Sequence, residues 1–261
     1  MTEIKTNKGI SYLVEASDRK TAVMKLIENG VNLEGAILYG IDFEGTNFEG
    51  VNLSNIDFRD CNLKGTNFNG ANCSNANFEG TNLHSANFSN ANLEGAIFKG
   101  ANLVGVNFSG AVLKGANLEN AILYGADCSN ANFEGAVLKG ADFDSANLEG
   151  VTFKGANLSG AILYHAVLKG ANFNKANLTG ANVNGANFEG VNLDSASWTF
   201  SCHQTLYAIL DDRLRIQMLF HAAKPKGEVI DSDLKELLES ELFKRVVNKF
   251  HMIPKYCGKI N

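Results

Sequence analysis

From Val31 to Phe200 the chain holds one five-residue frame, 34 repeats without an insertion or deletion. The middle residue is Leu 17 times and Phe 13 times; Cys73, Cys128, Val183 and Trp198 are the exceptions. The first residue is Ala 23 times, the second Asn 21 times or Asp four times, and the last Gly 22 times. A period of five fits neither a helix nor a flat strand. It fits a chain that turns a corner every fifth residue. Gly, Asn, Ser and Asp at the last place suit that corner, because they tolerate positive φ or bond their own backbone in turns. The middle Leu or Phe then points inward, the small first residue lets backbones approach, and the second and fourth residues face water.

One lap of such a chain cannot satisfy its own backbone N–H and C=O groups, whereas stacked laps can bond each to the next. The sequence therefore predicts a solenoid. The fourth residues set the size of a lap, because stacked side chains lie about 4.8 Å apart and like charges there repel. Laps of 15 residues give seven like-charged and three opposite neighbours; laps of 25 give three of each; laps of 20 give ten opposite and no like ones. The longest alternating runs are Arg59–Glu79–Lys99–Glu119–Lys139 and Glu94–Lys114–Glu134–Lys154. Four sides per lap follow.

With the corner and the lap defined, units such as ANLEG, ANFEG, ADFDS and ANLSG are similar to the A(D/N)LXX unit of the pentapeptide-repeat family. The resemblance covers residues 31–200 and implies an all-β solenoid, a right-handed four-sided (quadrilateral) β-helix. Its handedness comes from the resemblance alone. Four repeats per lap make about 8.5 coils from the 34 repeats, a rod roughly 40 Å long.

Sorted by side, the middle positions place Phe48, Phe68, Phe88 and Phe108 in one column, Phe58, Phe78 and Phe98 in a second, and Phe133, Phe153 and Phe173 in a third. Each buried Leu or Phe contributes about 1.5–3 kcal/mol, and stacked rings add about 0.5–1.5 kcal/mol per pair. Cys73 and Cys128 fall inside such columns and read as small core hydrophobes. The second-position Asn residues are expected to form hydrogen-bonded ladders along the rod.

An open lap is a sheet edge, and solenoids cover such edges. Three segments follow: residues 1–30 with a capping helix, residues 31–200 as the repeat β-helix, and residues 201–261 as a C-terminal helical cap, so short helical caps close both ends. Residues 18–29 followed by Gly30 read as a short helix with a Gly stop, with Val23, Leu26 and Ile27 over the first lap. After Phe200 the five-residue period vanishes. Leu206, Ile209, Leu210 and Leu214 then fall at helical spacing, and Leu234, Leu237, Leu238, Leu242, Val246 and Phe250 form a second apolar stripe. These helices are expected to pack on Trp198 and to offer a surface for a homodimer. Asp211 and Arg215 read as an i,i+4 surface pair.

Chemistry leaves little trace. No metal-ligand spacing, phosphate loop or nucleophile motif is present, and His84, His165, His203, His221 and His251 are scattered. Carboxylates within the repeat fall at water-facing places, without the burial that shifts a catalytic pKa. No catalytic residue, cofactor or metal is expected. The net charge of −5 argues against direct nucleic-acid binding. No apolar run reaches the length of a membrane span, and the first twenty residues lack the apolar core of a signal peptide. Five cysteines without CxxC spacing suit a reduced, cytoplasmic protein of a bacterium; a secreted effector carrying such repeats is the alternative location.

What remains is surface. Seven repeats put Ile or Val at the normally polar second place: Ile37, Ile97, Val112, Ile122, Val137, Ile162 and Val167. Three of these lie in AILYG or AILYH, with Tyr39, Tyr124 and Tyr164 at the next outward place. Val104, Ile122, Tyr124, Ile162, Tyr164 and His165 line up on one side, interrupted by Asp142 and Asp144. Apolar and Tyr clusters rimmed by charge are typical of protein interfaces. The expected function is a non-enzymatic protein-interaction or scaffold rod that binds another protein through this patch. The alternative is a DNA mimic that binds DNA gyrase or topoisomerase IV, as gyrase-protecting members of the family do. It would use an acidic surface of Asp42, Glu44, Asp142, Asp144, Glu149 and Glu189. Residues 31–200 hold 16 acidic and eight basic residues, whereas duplex DNA carries roughly 24 charges over 40 Å.

Overall fold

A computed structural model describes residues 1–199 of the chain. In it every last position of a repeat, from Gly35 to Ser195, has φ between 54° and 73°. At each corner the first N–H of the next repeat bonds back to the middle carbonyl three residues earlier, as in Ala91 N to Phe88 O at 3.0 Å. A left-handed third residue in a four-residue turn is what Gly and Asn accommodate. The corner chemistry of the sequence is thus the corner of the fold.

Laps are joined by parallel bridges between second positions twenty residues apart, from Ile37 with Asp57 to Asn172 with Asn192. The lap length read from the charges is correct. Among the described residues the bridges lengthen to three-residue strands only where β3 (Asn177–Thr179) pairs with β4 (Ser197–Thr199). Four sides are numbered by their middle residues: side one begins with Leu33, side two with Leu38, side three with Phe43 and side four with Phe48.

The amides of one repeat account for its composition. The middle N–H donates to the second-position carbonyl of the next lap (Phe98 N to Asn117 O, 2.7 Å), and the last N–H to the fourth carbonyl (Gly100 N to Glu119 O, 3.0 Å). The second N–H donates to the previous lap (Asn117 N to Ala96 O, 2.9 Å). Only the fourth N–H lacks a backbone partner, and the side chain of a second-position Asn or Asp takes it, as Asn117 Oδ1 takes Glu119 N–H at 3.0 Å. The same Asn side chains also form the expected ladders: Asn72 donates to Asn52 at 3.0 Å and Asn92 to Asn72 at 3.1 Å. Asn therefore has two tasks, of which the ladder was the one foreseen.

Inside, Leu33, Phe68 and Phe133 are fully buried, as are nearly all other middle residues. On side four Phe68 and Phe88 stack at 4.5 Å between ring centroids, and on side two Phe78 and Phe98 stack at 4.8 Å. Rings of the two columns meet edge to face, as Phe78 and Phe88 do at 5.6 Å. Cys61, Cys73 and Cys128 are free and buried. Burial pushes the Cys61 thiol up to about 11, and raises Cys73 and Cys128 as well.

The N-terminal segment holds a hairpin that periodicity did not reveal. β1 (Thr2–Lys5) pairs antiparallel with β2 (Ser11–Val14) around Gly9, and Ile4 joins the core. The clue was the Asn-Lys-Gly turn between two short β-favouring runs. Past β1 the chain pairs with the first lap through Thr6 and Ala36, and Ile37 N–H donates to Lys5 O at 2.8 Å. Helix α1 (Arg19–Glu28) starts at Asp18, whose carboxylate accepts the Thr21 N–H, and Gly30 follows at φ 69°. Val23 and Leu26 are buried with the core, and Ile27 packs partly against it. Arg19 donates to the carbonyls of Ile37 and Tyr39 at 2.6 and 3.0 Å, which in later laps would accept from the lap before.

The charge runs are partly realised. Of ten opposite neighbours, four lie within ion-pair distance: Lys64–Glu44 at 3.1 Å, Lys99–Glu119 at 3.7 Å, Lys139–Glu119 at 4.0 Å and Lys154–Glu134 at 3.1 Å. Arg59 does not reach Glu79. It binds Asp57, two residues away on the same outer face, through two hydrogen bonds of 2.9 and 2.8 Å. A bidentate partner on its own strand wins over one a lap away. The two expected C-terminal helices and the Asp211–Arg215 pair lie outside the described residues, and so does the expected packing of those helices on Trp198.

Candidate functional site

The outward patch sits on side three. Asn102, Ile122, Asp142, Ile162 and Asn182 form one column of bridged second positions. Beside it runs the column of fourth residues, in which Gly105 N–H donates to Tyr124 O, Gly125 N–H to Asp144 O and Ser145 N–H to Tyr164 O, at 2.8–2.9 Å. The β-pleat turns second and fourth residues of one repeat to the same outer face. Two apolar steps, Ile122 with Tyr124 and Ile162 with Tyr164, thus flank one acidic step, Asp142 with Asp144.

The side chains are open to water. Ile122 is 44% exposed, Tyr124 50% and Ile162 37%, while Val104 and Tyr164 are half-buried. His165 occupies a left-handed corner at φ 54°, and its exposed ring lies against Tyr164 with centroids 3.8 Å apart. Asp142 Oδ1 accepts the Asp144 N–H at 3.0 Å, and Asp144 Oδ1 accepts the Ser145 hydroxyl at 2.7 Å. Among the described residues neither carboxylate has a cationic partner within 4.0 Å.

Within the repeats the other exposed aliphatic residues scatter. Val112 is on side one, Ile37 and Val137 on side two, and Val167 on side four. Ile37 and Tyr39 are on the first lap, where Arg19 holds their carbonyls. Only side three carries two Ile–Tyr steps.

A second pattern in the sequence marks these steps, and residue-by-residue polarity passes over it. Wherever Ile, Val or Thr replaces the second-position Asn or Asp up to residue 170, the fourth residue is Tyr or Lys: Ile37–Tyr39, Ile97–Lys99, Val112–Lys114, Ile122–Tyr124, Val137–Lys139, Thr152–Lys154, Ile162–Tyr164 and Val167–Lys169. Elsewhere the fourth residue is Lys only at Lys64, and never Tyr. An aliphatic side chain cannot accept the fourth N–H, and the amides of Tyr124 and Tyr164 make no hydrogen bond among the described residues. Each AILY step therefore leaves its fourth amide without the acceptor that Asn or Asp supplies elsewhere among the described residues.

The acidic residues do not make one surface. Asp42 and Glu44 lie on the first lap of side three, 100 residues and so five laps from Asp142 and Asp144. Glu44 pairs with Lys64 and accepts from Asn62, which together hold its carboxyl below the usual glutamate range. Glu149 and Glu189 lie on side four with Lys169 stacked between them, since Gly150 N–H donates to Lys169 O and Gly170 N–H to Glu189 O. No group of three His, Cys, Asp or Glu side chains among the described residues is placed to hold a metal ion. No helix among them is long and apolar enough to cross a membrane.

Comparison with known proteins adds family and fold. No curated protein matches the chain. Among solved structures it is similar to two trypsin-treated variants of QnrB1, a plasmid-mediated fluoroquinolone resistance protein. One is 26% identical with a TM-score of 0.54, covering 62% of this chain and 89% of that one. The other is 23% identical with a TM-score of 0.55, covering 73% and 99%. HetL, a pentapeptide repeat protein involved in heterocyst differentiation regulation from the cyanobacterium Nostoc, is 27% identical over 67% of this chain and 94% of that one, with a TM-score of 0.26. The model of the pentapeptide repeat region matches residues 31–108, and that of eight-copy pentapeptide repeats matches residues 101–140, 141–180 and 171–197. With its corners, lap and repeats all in agreement, the chain belongs to the pentapeptide-repeat family.

Proposed function

We propose that this protein is a non-enzymatic interaction rod that holds another protein against side three. The observation that carries this reading is the pair of Ile–Tyr steps on one side, with Ile122, Tyr124 and Ile162 exposed and Tyr164 half-buried, where the family's repeat asks for Asn at the second place. A rigid β-helix presents such a patch already ordered, so docking loses little conformational entropy. The reading includes right-handed winding through about 8.5 laps, helical closure of both ends with a homodimer through the C-terminal helices, and a reducing bacterial cytoplasm. Three free buried thiols suit that compartment. Affinity capture from the native host tests the patch: a partner held by the natural chain should be lost from the Tyr124→Ser/Tyr164→Ser variant, with the melting curve unchanged. A partner retained by that variant ends the reading.

A second reading is a duplex-DNA mimic that binds DNA gyrase or topoisomerase IV. It draws on the fold likeness to QnrB1, a fluoroquinolone resistance protein. The distribution of charge weighs against it, because the acidic pairs of side three stand five laps apart and Glu44 is neutralised by Lys64. Changed supercoiling by purified gyrase at micromolar protein would favour it; an unchanged reaction removes it.

A further inference from the structure

Resting on the patch reading above, we infer that the occupant of side three is an amphipathic α-helix laid along the rod axis, with apolar residues at i and i+7 and an Arg at i+3 or i+4.

The argument is one of spacing and charge. Successive laps rise by about 4.8 Å, so the centres of the two Ile–Tyr steps lie about 9.6 Å apart and the Asp142–Asp144 step lies halfway. An α-helix rises 1.5 Å per residue, which places i+3 about 4.5 Å, i+4 about 6.0 Å and i+7 about 10.5 Å from residue i on the same face. The three contacts match to within about 1 Å. A strand laid the same way would offer same-face residues about 6.7 Å apart and would miss the second step by about 2 Å and the third by about 4 Å. Axial spacing therefore selects a helix over a strand.

The acidic step selects the middle residue. Asp142 and Asp144 carry two carboxylates on one outer face, and neither has a cation within 4.0 Å among the described residues. A guanidinium carries enough donors to reach both, which an ammonium does less well. Flanking apolar contacts would exclude water from that pair and strengthen it. One lap earlier the fourth place under Tyr124 is the half-buried Val104, beside Asn102, so the apolar line continues there at i−3 or i−4.

Fluorescence anisotropy with the full chain and defined peptides tests this. The matched probe is an Ala-rich helical peptide with Leu at i, Arg at i+4 and Leu at i+7; the control has the same composition with Arg moved half a turn. The matched peptide should bind more tightly than the control by at least about fivefold. That preference should vanish in Asp142→Asn/Asp144→Asn, where Asn at 142 still accepts the residue-144 N–H, so the fold is kept. Binding of the matched peptide should be lost in Tyr124→Ser/Tyr164→Ser at an unchanged melting temperature. Equal binding of both peptides, a preference that survives the double Asn variant, or no binding of the matched peptide up to about 1 mM each overturns the helical partner. Capture of a natural partner that depends on Tyr124 and Tyr164 would then still stand, and would assign the patch to a differently shaped occupant.

Discussion

The stretch up to residue 110 and the stretch after it obey the same inner rule and differ outside. In the first, Asn ladders run unbroken: Asn32, Asn52, Asn72 and Asn92 on side one, and Asp42, Asn62, Asn82 and Asn102 on side three. Both ladders stop where an aliphatic residue takes the next second place, at Val112 and Ile122. Beyond them, among the described residues, the only side-chain steps between laps at second positions are Asn147 to Asp127 and Asn177 to Asn157. The cores differ too. Phe43 to Phe108 form a continuous ring cluster, the lap 111–130 has Leu113, Leu118, Leu123 and Cys128, and rings resume at Phe133. Backbone bonding between laps is the same in both stretches. The outer side chains are thus free to change while the lap holds, and the later stretch is where they have changed.

The largest test of this contrast is inside. Phe88 touches rings above, below and beside it, so Phe88→Ala should cost about 3–5 kcal/mol in chemical denaturation. Leu118→Ala, in the ring-free lap, should fall toward the lower end of about 2–5 kcal/mol. A larger loss at Leu118 would mean that the rings are not the stiffer part. Corners come next. An added methyl at Gly110 would meet Asn90 Oδ1 at 2.7 Å, whereas at Gly115 nothing lies within 4 Å. Both are left-handed, so Gly115→Ala should cost about 1–2 kcal/mol from backbone strain. Gly110→Ala should cost more, and Asn90→Gly one lap earlier should remove that extra cost. Equal losses at the two corners would show that Asn90 swings away freely. The smallest effect concerns the ladders. Asn82→Ile should cost about 1 kcal/mol by removing two long ladder steps, to Asn62 and from Asn102, and the acceptor of the His84 N–H. Ile122→Asn should be neutral or stabilising by a similar amount, since it gives the Tyr124 N–H an acceptor. Should Ile122→Asn destabilise instead, the aliphatic step would be a packing element and its role as an exposed docking step would weaken.

The frame, the inward Leu and Phe, the corners and the lap were legible because each follows from a strict period. The lap came from charge alternation, although fewer than half of those neighbours are ion pairs; avoidance of like charge carries the signal even where salt bridges do not form. The N-terminal hairpin was not legible by that route, since four-residue strands such as β1 and β2 contain too few alternations to register. Nor was the second role of Asn. Which N–H of a repeat lacks a backbone partner depends on how laps are hydrogen-bonded, and no composition reveals it. The patch residues could be aligned once the lap was known. The same arithmetic sets Ile37, Val112, Val137 and Val167 on other sides; what needed the structure is how far each side chain is exposed and that the Tyr124 and Tyr164 amides find no acceptor among the described residues.

The corners carry one more consequence. Asp60, Asn75, Ser85, Asn90, Asn120, Asn130 and His165 each lean over a glycine one lap later, at Gly80, Gly95, Gly105, Gly110, Gly140, Gly150 and Gly185. At these seven corners the side chain thus fills the vacancy of the glycine above it, whereas Asn55, Ser145 and Lys175 lie below Asn75, His165 and Ser195. Losing a single pentapeptide would rotate everything downstream by a quarter turn, seating Phe88 beneath Leu113 and setting Glu94 against Glu119. Such molecules should therefore lengthen and shorten over evolutionary time in whole revolutions, with twenty residues as the heritable quantum of change.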